Sequence, residues 1–227
     1  MMLKVFRDLS RFERGLWGFS CVMVTGAFLL AGTQDLWTLL ASLIGVTALI
    51  FVAKGYVLGQ ILTVVFAVFY GVISYFQHYY GEMITYLGMT SPIALMAAIE
   101  WMRNPYAGTR EVRVRRLNAK QCLLMWLLTV LVTVGFFFIL RALGNASLFF
   151  STLSIATSFL ASYLTLMRSP SYALAYAAND LILIILWVIA SLHIPGCMPM
   201  IVCFAMFFLN DSYGFLNWRS MMARQNA

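Results

Sequence analysis

Charged residues are scarce in this sequence of 227 residues, of which 10% are Asp, Glu, Lys or Arg and 63% are apolar. A water-soluble domain is typically about half apolar and about a quarter charged. One soluble domain of this length cannot bury so much apolar surface, so a lipid bilayer must form part of its surroundings. Helices satisfy their own backbone hydrogen bonds in lipid. The composition therefore predicts an all-α membrane protein that crosses the bilayer several times.

Metal-binding and catalytic motifs are also missing. The four cysteines are scattered without a Cys-x-x-Cys pair, and the sequence has only two histidines. This pattern argues against a metal site and against a disulfide framework. Neither a His-Glu-x-x-His motif nor a Walker motif is present, which argues against an intramembrane enzyme and against ATP hydrolysis by this chain. We therefore expect a protein that is not an enzyme and that needs no cofactor.

Eight apolar stretches are long enough to cross a bilayer, which takes about 20 residues of helix. The predicted helices are residues 16–31, 36–53, 56–75, 83–101, 122–140, 146–166, 172–192 and 197–215. Most connections between them are very short, so consecutive helices should pack antiparallel to each other.

The positive charges orient this arrangement. If the amino terminus is cytoplasmic, fourteen of the fifteen Lys and Arg residues lie on the cytoplasmic side, and only Arg141 lies outside. Loops rich in Lys and Arg usually remain in the cytoplasm. Both termini are therefore predicted to be cytoplasmic, and this orientation accounts for the net charge of +7.

The long connection at residues 102–120 carries six basic residues. Such a stretch could bind anionic lipid headgroups or nucleic acid. It contains a single aromatic residue, Tyr106, whereas proteins that bind single-stranded nucleic acid usually stack bases on several. We expect a solvated cytoplasmic linker that anchors its flanking helices, and no nucleic-acid partner.

Two parts of the sequence align with each other. Residues 37–101 match residues 149–218 in helix order, in helix boundaries and in their final tryptophans, Trp101 and Trp218. One helix lies between the two three-helix units, so both units enter the membrane in the same direction, as parallel repeats. The predicted divisions are 1–35 for a basic terminus with an extra helix, 36–101 for the first repeat, 102–145 for the basic loop and a linker helix, 146–218 for the second repeat and 219–227 for a cytoplasmic tail.

An amide and a carboxylate, Asn179 and Asp180, interrupt the seventh predicted helix near its centre. A carboxylate at that depth costs about 2.5–3.5 kcal/mol, so it usually faces a bundle interior or a wet cavity. The pair either lines a binding pocket or joins two helices. Transporters built from repeats bind their substrates near the midplane, between the repeats. We therefore predict a substrate pocket around this pair.

Three stretches carry a resemblance to a known family. They are YGVISYFQHYYGEMITYLGMTSP, SYALAYAANDLILIILW and FFLNDSYGFLNW, at residues 70–92, 171–187 and 207–218. Together with the arrangement of three, one and three helices, they resemble the PnuC family of bacterial vitamin transporters over residues 37–218. The resemblance implies a fold similar to the SWEET sugar transporters, a homotrimer and a place in the bacterial cytoplasmic membrane. It also implies facilitated uptake of nicotinamide riboside, a precursor of NAD, which a cytoplasmic kinase then traps by phosphorylation.

Other proteins similar to this family carry thiamine, riboflavin or deoxynucleosides, and these ligands are alternatives here. The family often has a tryptophan one turn before the position of Asn179, where this chain has Ala175 followed by Tyr176. Either Tyr176 or Trp187 takes over the stacking role of that tryptophan, or the substrate differs.

The candidate substrate-binding residues combine amides, aromatic rings and carboxylates. Amides suit a carboxamide and ribose hydroxyls because they donate and accept hydrogen bonds without adding charge. Aromatic rings can stack on a cationic nicotinamide ring, and a carboxylate can attract that cation. Their structural alternatives are helix-to-helix hydrogen bonds and an interfacial aromatic belt. The set is Asn179, Asn210, Gln77, Tyr80, Trp187, Tyr70, Tyr176, Asp180, Glu82 and Tyr86.

The role of Asp180 is open between orienting partner, ribose ligand and proton site. Ion coupling could use either this residue or Asp211, which directly follows Asn210.

Overall fold

The apolar stretches fold into long helices, because an unpaired backbone group is costly in lipid. The computed structural model describes residues 2–32, 36–76, 80–145, 147–192 and 196–226, apart from the side chains of residues 2–4 and 80. The helices are α1 (Met2–Arg7), α2 (Arg11–Leu30), α3 (Leu36–Ala53), α4 (Val57–Phe76), α5 (Tyr80–Thr85), α6 (Ser91–Arg103), α7 (Ala119–Ala142), α8 (Leu148–Leu166), α9 (Tyr172–Ser191) and α10 (Met198–Gln225). A π-helical segment, Tyr86–Thr90, joins α5 to α6.

Seven helical stretches of the described residues are long and apolar enough to cross a membrane, where the sequence predicted eight. They are Leu36–Ala53, Val57–Phe76, Gly81–Arg103, Ala119–Ala142, Leu148–Leu166, Tyr172–Ser191 and Met198–Gln225. The remaining predicted helix forms as α2, but Arg11, Glu13 and Arg14 lie in its first turn and reduce its apolar character. The all-helical, multi-pass architecture is confirmed.

The helix predicted for residues 83–101 lies within the continuous helical stretch Gly81–Arg103, which includes the π-helical segment. Ser91 N–H donates to the carbonyl of Tyr86, five residues earlier, instead of to a carbonyl four residues earlier. Pro92 explains the change, because proline has no N–H and its ring clashes with the carbonyl four residues before it. A wider turn relieves that clash. The segment also turns Tyr86 and Thr90 toward the main cavity of the bundle.

Two buried tryptophans meet at the centre of one end of the bundle. The rings of Trp101 and Trp218 are 5.3 Å apart. Trp101 Nε1 donates to the carbonyl of Thr165 over 3.0 Å, and Trp218 Nε1 donates to the carbonyl of Val52 over 2.9 Å. The acceptors are the next-to-last residues of α8 and α3. Trp101 thus ties the end of α6 to the end of α8, and Trp218 ties α10 to the end of α3.

Helices α3 and α8 also end in the same way. Tyr56 N–H donates to the carbonyl of Phe51, and Ser169 N–H donates to the carbonyl of Leu164. Each is the bond between residues five apart that defines a Schellman motif. The left-handed residue of this motif is Gly55 after α3, with φ of 71°, but Arg168 after α8, with φ of 59°. A residue with a Cβ pays about 1–2 kcal/mol for this conformation.

The extra amino-terminal helix is attached through a buried ion pair. Glu13 is 3% exposed and its carboxylate lies 2.8 Å from Lys54 Nζ at the end of α3. Tyr213 Oη of α10 donates to the same carboxylate over 2.9 Å. Glu13 also closes a capping box with Ser10 at the start of α2. One carboxylate therefore joins three helices.

Lys54→Met is expected to destabilise the protein by about 3 kcal/mol, because it leaves the carboxylate of Glu13 buried without its cation. The measurement is the unfolding midpoint of the detergent-solubilised protein. Arg110→Met is the matched control, since Arg110 and Asp8 form an ion pair whose side chains are 49% and 39% exposed; it should cost less than about 1 kcal/mol. Equal shifts for both variants would contradict a special role for the buried pair.

Candidate functional site

A cavity lined by both polar and apolar side chains lies among α3, α4, α5, α8, α9 and α10. Three carboxyl groups contribute to its wall, from Glu82, Asp180 and Asp211. Asn179 and Tyr176 of α9 line it as well. Among the described residues that line the cavity there is no Lys, Arg or His. The electrostatic character of this space is therefore acidic, which favours a cationic or neutral guest over an anion.

Hydroxyl groups of α8 surround the side-chain oxygen of Asn179. Ser154 Oγ, Thr157 Oγ1 and Ser158 Oγ lie 3.0, 2.9 and 3.1 Å from Asn179 Oδ1. This oxygen is therefore turned toward α8 and held there. The Nδ2 group of Asn179 has no acceptor among the described residues, so its two N–H donors are free to bind a guest in the cavity.

Asp180 of α9 and Asp211 of α10 face each other across the cavity wall. Both side chains are 3% exposed, and their carboxyl groups lie within hydrogen-bond reach of each other. No other described group donates to Asp180 Oδ2. A hydrogen bond between two carboxyl groups requires at least one proton, so the pair carries at most one negative charge when it forms. With one shared proton, the pair joins two helices and supplies a single negative charge to the cavity.

Aromatic rings form the opposite wall. Tyr86, in the π-helical segment, lines the cavity and packs against Tyr70 of α4 with ring centres 4.6 Å apart. Phe66 packs edge-on against Tyr86 at 5.8 Å and against Phe207 at 6.0 Å. Tyr70 is 8% exposed and lies within hydrogen-bond reach of Glu82. Tyr70 thus supports the ring of Tyr86 and the carboxyl group of Glu82 from behind.

Tyr176 connects the cavity to the tryptophan pair at the end of the bundle. Its hydroxyl group lies 3.2 Å from Ser162 Oγ, and its ring packs against Tyr172 at 6.2 Å. Tyr172 in turn contacts Trp218 at 4.8 Å. A continuous set of aromatic contacts therefore runs from the cavity to the pair of Trp101 and Trp218.

Comparison with known proteins identifies the family. The model of the nicotinamide mononucleotide transporter family matches residues 35–220. The chain belongs to this family. The resemblance to PnuC found in the sequence is confirmed, and the family consists of membrane transporters rather than enzymes.

Two curated relatives are the nicotinamide riboside transporters PnuC of Neisseria mucosa and Haemophilus influenzae. The first is 24% identical over 191 residues, covering 82% of this chain and 73% of the relative. The second is 24% identical over 197 residues, covering 86% of this chain and 84% of the relative. The crystal structure of the vitamin B3 transporter PnuC superposes with a TM-score of 0.82 at 22% identity, covering 96% of this chain and 94% of that one. This similarity shows that the transporter fold is shared.

The structure brings five of the ten candidate residues together in the cavity of this family member: Tyr176, Asn179, Asp180, Glu82 and Tyr86. Tyr70 lies directly behind them. Gln77 lies outside the described residues, as does the side chain of Tyr80.

Asn210 and Trp187 lie elsewhere. Asn210 is fully buried, and its Nδ2 donates to Ser20 Oγ of α2 over 3.0 Å and to the carbonyl of Met206 over 2.7 Å. Trp187 is partly buried and packs against an apolar cluster formed by α2, α3, α9 and α10. Neither residue is among those that line the cavity. Their places indicate contacts between helices, which is the structural alternative for polar and aromatic residues in membrane helices.

Several cavity residues were absent from the predicted set. They include Asp211, the amide of Gln60 on α4, and the hydroxyls of Ser151, Ser154 and Ser158 on α8. The three serines are spaced by three and four residues and therefore share one face of a helix. This spacing is the sequence signal that could have revealed them.

Asn210→Ala is expected to lower the thermal unfolding midpoint by several degrees, because it removes the bond between α10 and α2 and leaves a small cavity. A buried hydrogen bond of this kind contributes about 1 kcal/mol. Ligand affinity should stay within about twofold of the wild type, since Asn210 does not line the cavity. A large loss of affinity without a loss of stability would place Asn210 in the binding site instead.

Proposed function

We propose that this chain mediates uptake of nicotinamide riboside by facilitated diffusion. The observation that carries the proposal is the combination in one cavity of acidic groups, free amide donors and an aromatic wall, with no basic residue among the described lining residues. Nicotinamide riboside has a cationic ring, a carboxamide and ribose hydroxyls. Asp180, Asp211 and Glu82 suit the cation, the Nδ2 of Asn179 suits an oxygen acceptor, and Tyr86 suits the flat ring.

The same lining favours a nucleoside over a mononucleotide. A phosphate group would bring negative charge next to three carboxyl groups, and like charges in a partly dry site repel strongly. Thiamine is also a flat cation, so it is the alternative ligand that the acidic lining favours. Riboflavin and the deoxynucleosides have no ring cation for the carboxylates to bind.

Alternating access would arise from movement of two parallel repeats of three membrane helices each, with α7 as the linker helix. The first repeat is α3, α4 and the stretch from α5 to α6, which counts as one membrane helix. The second repeat is α8, α9 and α10. The hydrogen bond of Trp101 to α8 corresponds to that of Trp218 to α3, and α3 and α8 end in the same motif. Both observations support a two-fold symmetry between the repeats, as in the SWEET transporters. The cavity receives residues from both halves, as expected for a site between repeats. The π-helical segment beside the cavity offers a point at which a helix can adjust, since such segments often occur at functional sites.

We infer that α2 is an eighth membrane helix outside the repeats. Beyond the first two turns its exposed residues are apolar, with Phe19, Val22 and Leu29 exposed by 51%, 70% and 74%, which suits contact with lipid. We also infer that both termini are cytoplasmic, because the basic residues then lie inside. A homotrimer in the bacterial inner membrane, working with a kinase that traps the product, is the arrangement implied by the PnuC resemblance.

Uptake into proteoliposomes tests the substrate. Radiolabelled nicotinamide riboside should enter faster than into protein-free liposomes, and unlabelled nicotinamide riboside should compete, whereas the mononucleotide should not. Thiamine serves as the second labelled ligand. If neither cation enters faster than in the lipid control, the proposed substrate class is wrong.

The facilitated mechanism has its own test. With the membrane potential held at zero, uptake of the cation should stop when the internal and external concentrations are equal, and an imposed proton or sodium gradient should leave that end point unchanged. Accumulation above the external concentration under a gradient would show ion coupling.

A further inference from the structure

A basic groove lies at the end of the bundle where α6, α8 and α10 finish. Four arginines line it, Arg113, Arg115, Arg116 and Arg168, and no acidic residue is among its described lining residues. The groove shares no lining residue with the cavity of the candidate site. Orientation in the membrane explains why positive charge occurs on this side of the protein, but it does not require four guanidinium groups to converge on one groove.

The backbone that carries these arginines is fixed in place. Val114 N–H donates to the side-chain oxygen of Gln225 over 2.8 Å, and the amide of Gln225 donates to the carbonyl of Val112 over 3.1 Å. Val112 and Val114 are 1% and 7% exposed. In an extended segment alternate side chains point to opposite faces, so Arg113, which is exposed, and Arg115, which is half-buried, lie opposite Val112 and Val114. Arg116 follows them and is exposed. The groove is therefore presented by an ordered segment rather than by a free loop.

Three of these arginines have no carboxylate partner. The ion pairs among the described residues use Lys54, Arg110, Arg168 and Arg224, and none uses Arg113, Arg115 or Arg116. Guanidinium groups that converge without a counter-charge repel one another unless an anion lies between them.

Arg168 is the buried member of the group. Its side chain is 7% exposed, its Nη2 lies 3.3 Å from Glu100, and its Nε has no acceptor among the described residues. Burial lowers the pKa of Arg168, Glu100 offsets part of this effect, and Arg115 and Arg113 lower it further. The residue also has a left-handed backbone, although the corresponding end of α3 has a glycine, Gly55. Arg168 therefore adopts a strained backbone conformation at a position where its guanidinium group lines the groove.

We propose that Arg113, Arg115, Arg116 and Arg168 form a binding site for a phosphate group, supplied either by the headgroup of an anionic lipid or by a soluble phosphate. Guanidinium groups bind phosphate oxygens through paired, charge-assisted hydrogen bonds. Four of them around one open groove match the charge and the several oxygens of a phosphate better than they match a single carboxylate.

Two variants and one control test the site in the full-length protein. Arg168→Gly removes the buried guanidinium and keeps a backbone that glycine adopts without strain. Arg115→Gln/Arg116→Gln removes two guanidinium groups, one half-buried and one exposed, without removing the backbone hydrogen bonds of the segment. Arg103→Gln is the control, because Arg103 is an exposed arginine at the end of α6, near the same end of the bundle, and does not line the groove.

Two probes distinguish a soluble phosphate from a lipid headgroup as the source of the phosphate group. The unfolding midpoint is measured against inorganic phosphate at constant ionic strength, with chloride as the reference anion. The protein is also extracted from phosphatidylcholine nanodiscs that either contain or lack phosphatidylglycerol. Native mass spectrometry then measures how much phosphatidylglycerol the protein retains.

We expect the wild type and Arg103→Gln to bind at least one of the two probes, with binding about tenfold weaker for each guanidinium group removed. A higher unfolding midpoint in inorganic phosphate identifies a soluble phosphate as the ligand. Retention of phosphatidylglycerol without such a shift identifies a lipid headgroup as the ligand. If the wild type binds neither probe, or if Arg103→Gln loses as much binding as the groove variants, the proposal is overturned.

Discussion

Asn179→Ala is expected to weaken the binding of nicotinamide riboside about thirtyfold. The variant loses the two Nδ2 donors that have no partner among the described residues. Two hydrogen bonds of about 1 kcal/mol each amount to about 2 kcal/mol, and 1.4 kcal/mol corresponds to a tenfold change in affinity. The three hydroxyls around Asn179 Oδ1 can instead bond to carbonyls of their own helix, as Thr157 Oγ1 does with Leu153. The fold should therefore survive.

Asn210→Ala is the matched control, since it makes the same chemical change one helix away. The measurements are the concentration dependence of uptake into proteoliposomes and the unfolding midpoint of each variant. The two variants should separate, with Asn179→Ala losing affinity at nearly unchanged stability and Asn210→Ala losing stability at nearly unchanged affinity. If Asn179→Ala binds the ligand as the wild type does, Asn179 only joins α8 to α9.

The contrast between these two asparagines shows what could be predicted from the sequence. Both stand before an aspartate in an apolar helix, and the cost of burying polar groups in lipid correctly marks both as residues that need partners. Whether the partner is a ligand or another helix depends on packing. Ser20 of the extra helix happens to meet Asn210, and no local pattern in the sequence specifies that contact.

The membrane helices were predictable because hydropathy is a local property. Each apolar stretch must form a helix in lipid whatever it packs against. The exception at Tyr86–Thr90 depends on Pro92, whose effect on the preceding turn is also local. By contrast, the serines of α8 were missed because Ser and Thr can bond to their own helix and so carry little cost in a membrane. Their role arises only when α9 presents Asn179 to them.

The largest effect is expected for the double variant Asp180→Asn/Asp211→Asn. With one shared proton the native pair carries one negative charge, and the double variant carries none. At an effective dielectric constant of about 20, two unit charges about 5 Å apart attract each other by about 3 kcal/mol. Affinity for a cationic ligand should therefore fall on the order of a hundredfold, even though Glu82 is unchanged.

The single variant Asp180→Asn should behave differently. Its amide can donate to the carboxylate of Asp211, so the pair keeps both its hydrogen bond and its single negative charge. Because the charge that attracts the ligand is retained, affinity for the cation should stay within about threefold of the wild type. This comparison separates the charge of the pair from the identity of either residue.

Reduced nicotinamide riboside provides the decisive ligand for this series, because its dihydropyridine ring has nearly the same shape and no positive charge. Competition against labelled nicotinamide riboside measures both affinities in each variant. The wild type and Asp180→Asn should prefer the cation, and the double variant should lose most of that preference, because Glu82 is then the one carboxyl group among the described lining residues that can interact with the charged ring. A double variant that still prefers the cation by the wild-type ratio would show that Asp180 and Asp211 join α9 to α10 without selecting the ligand.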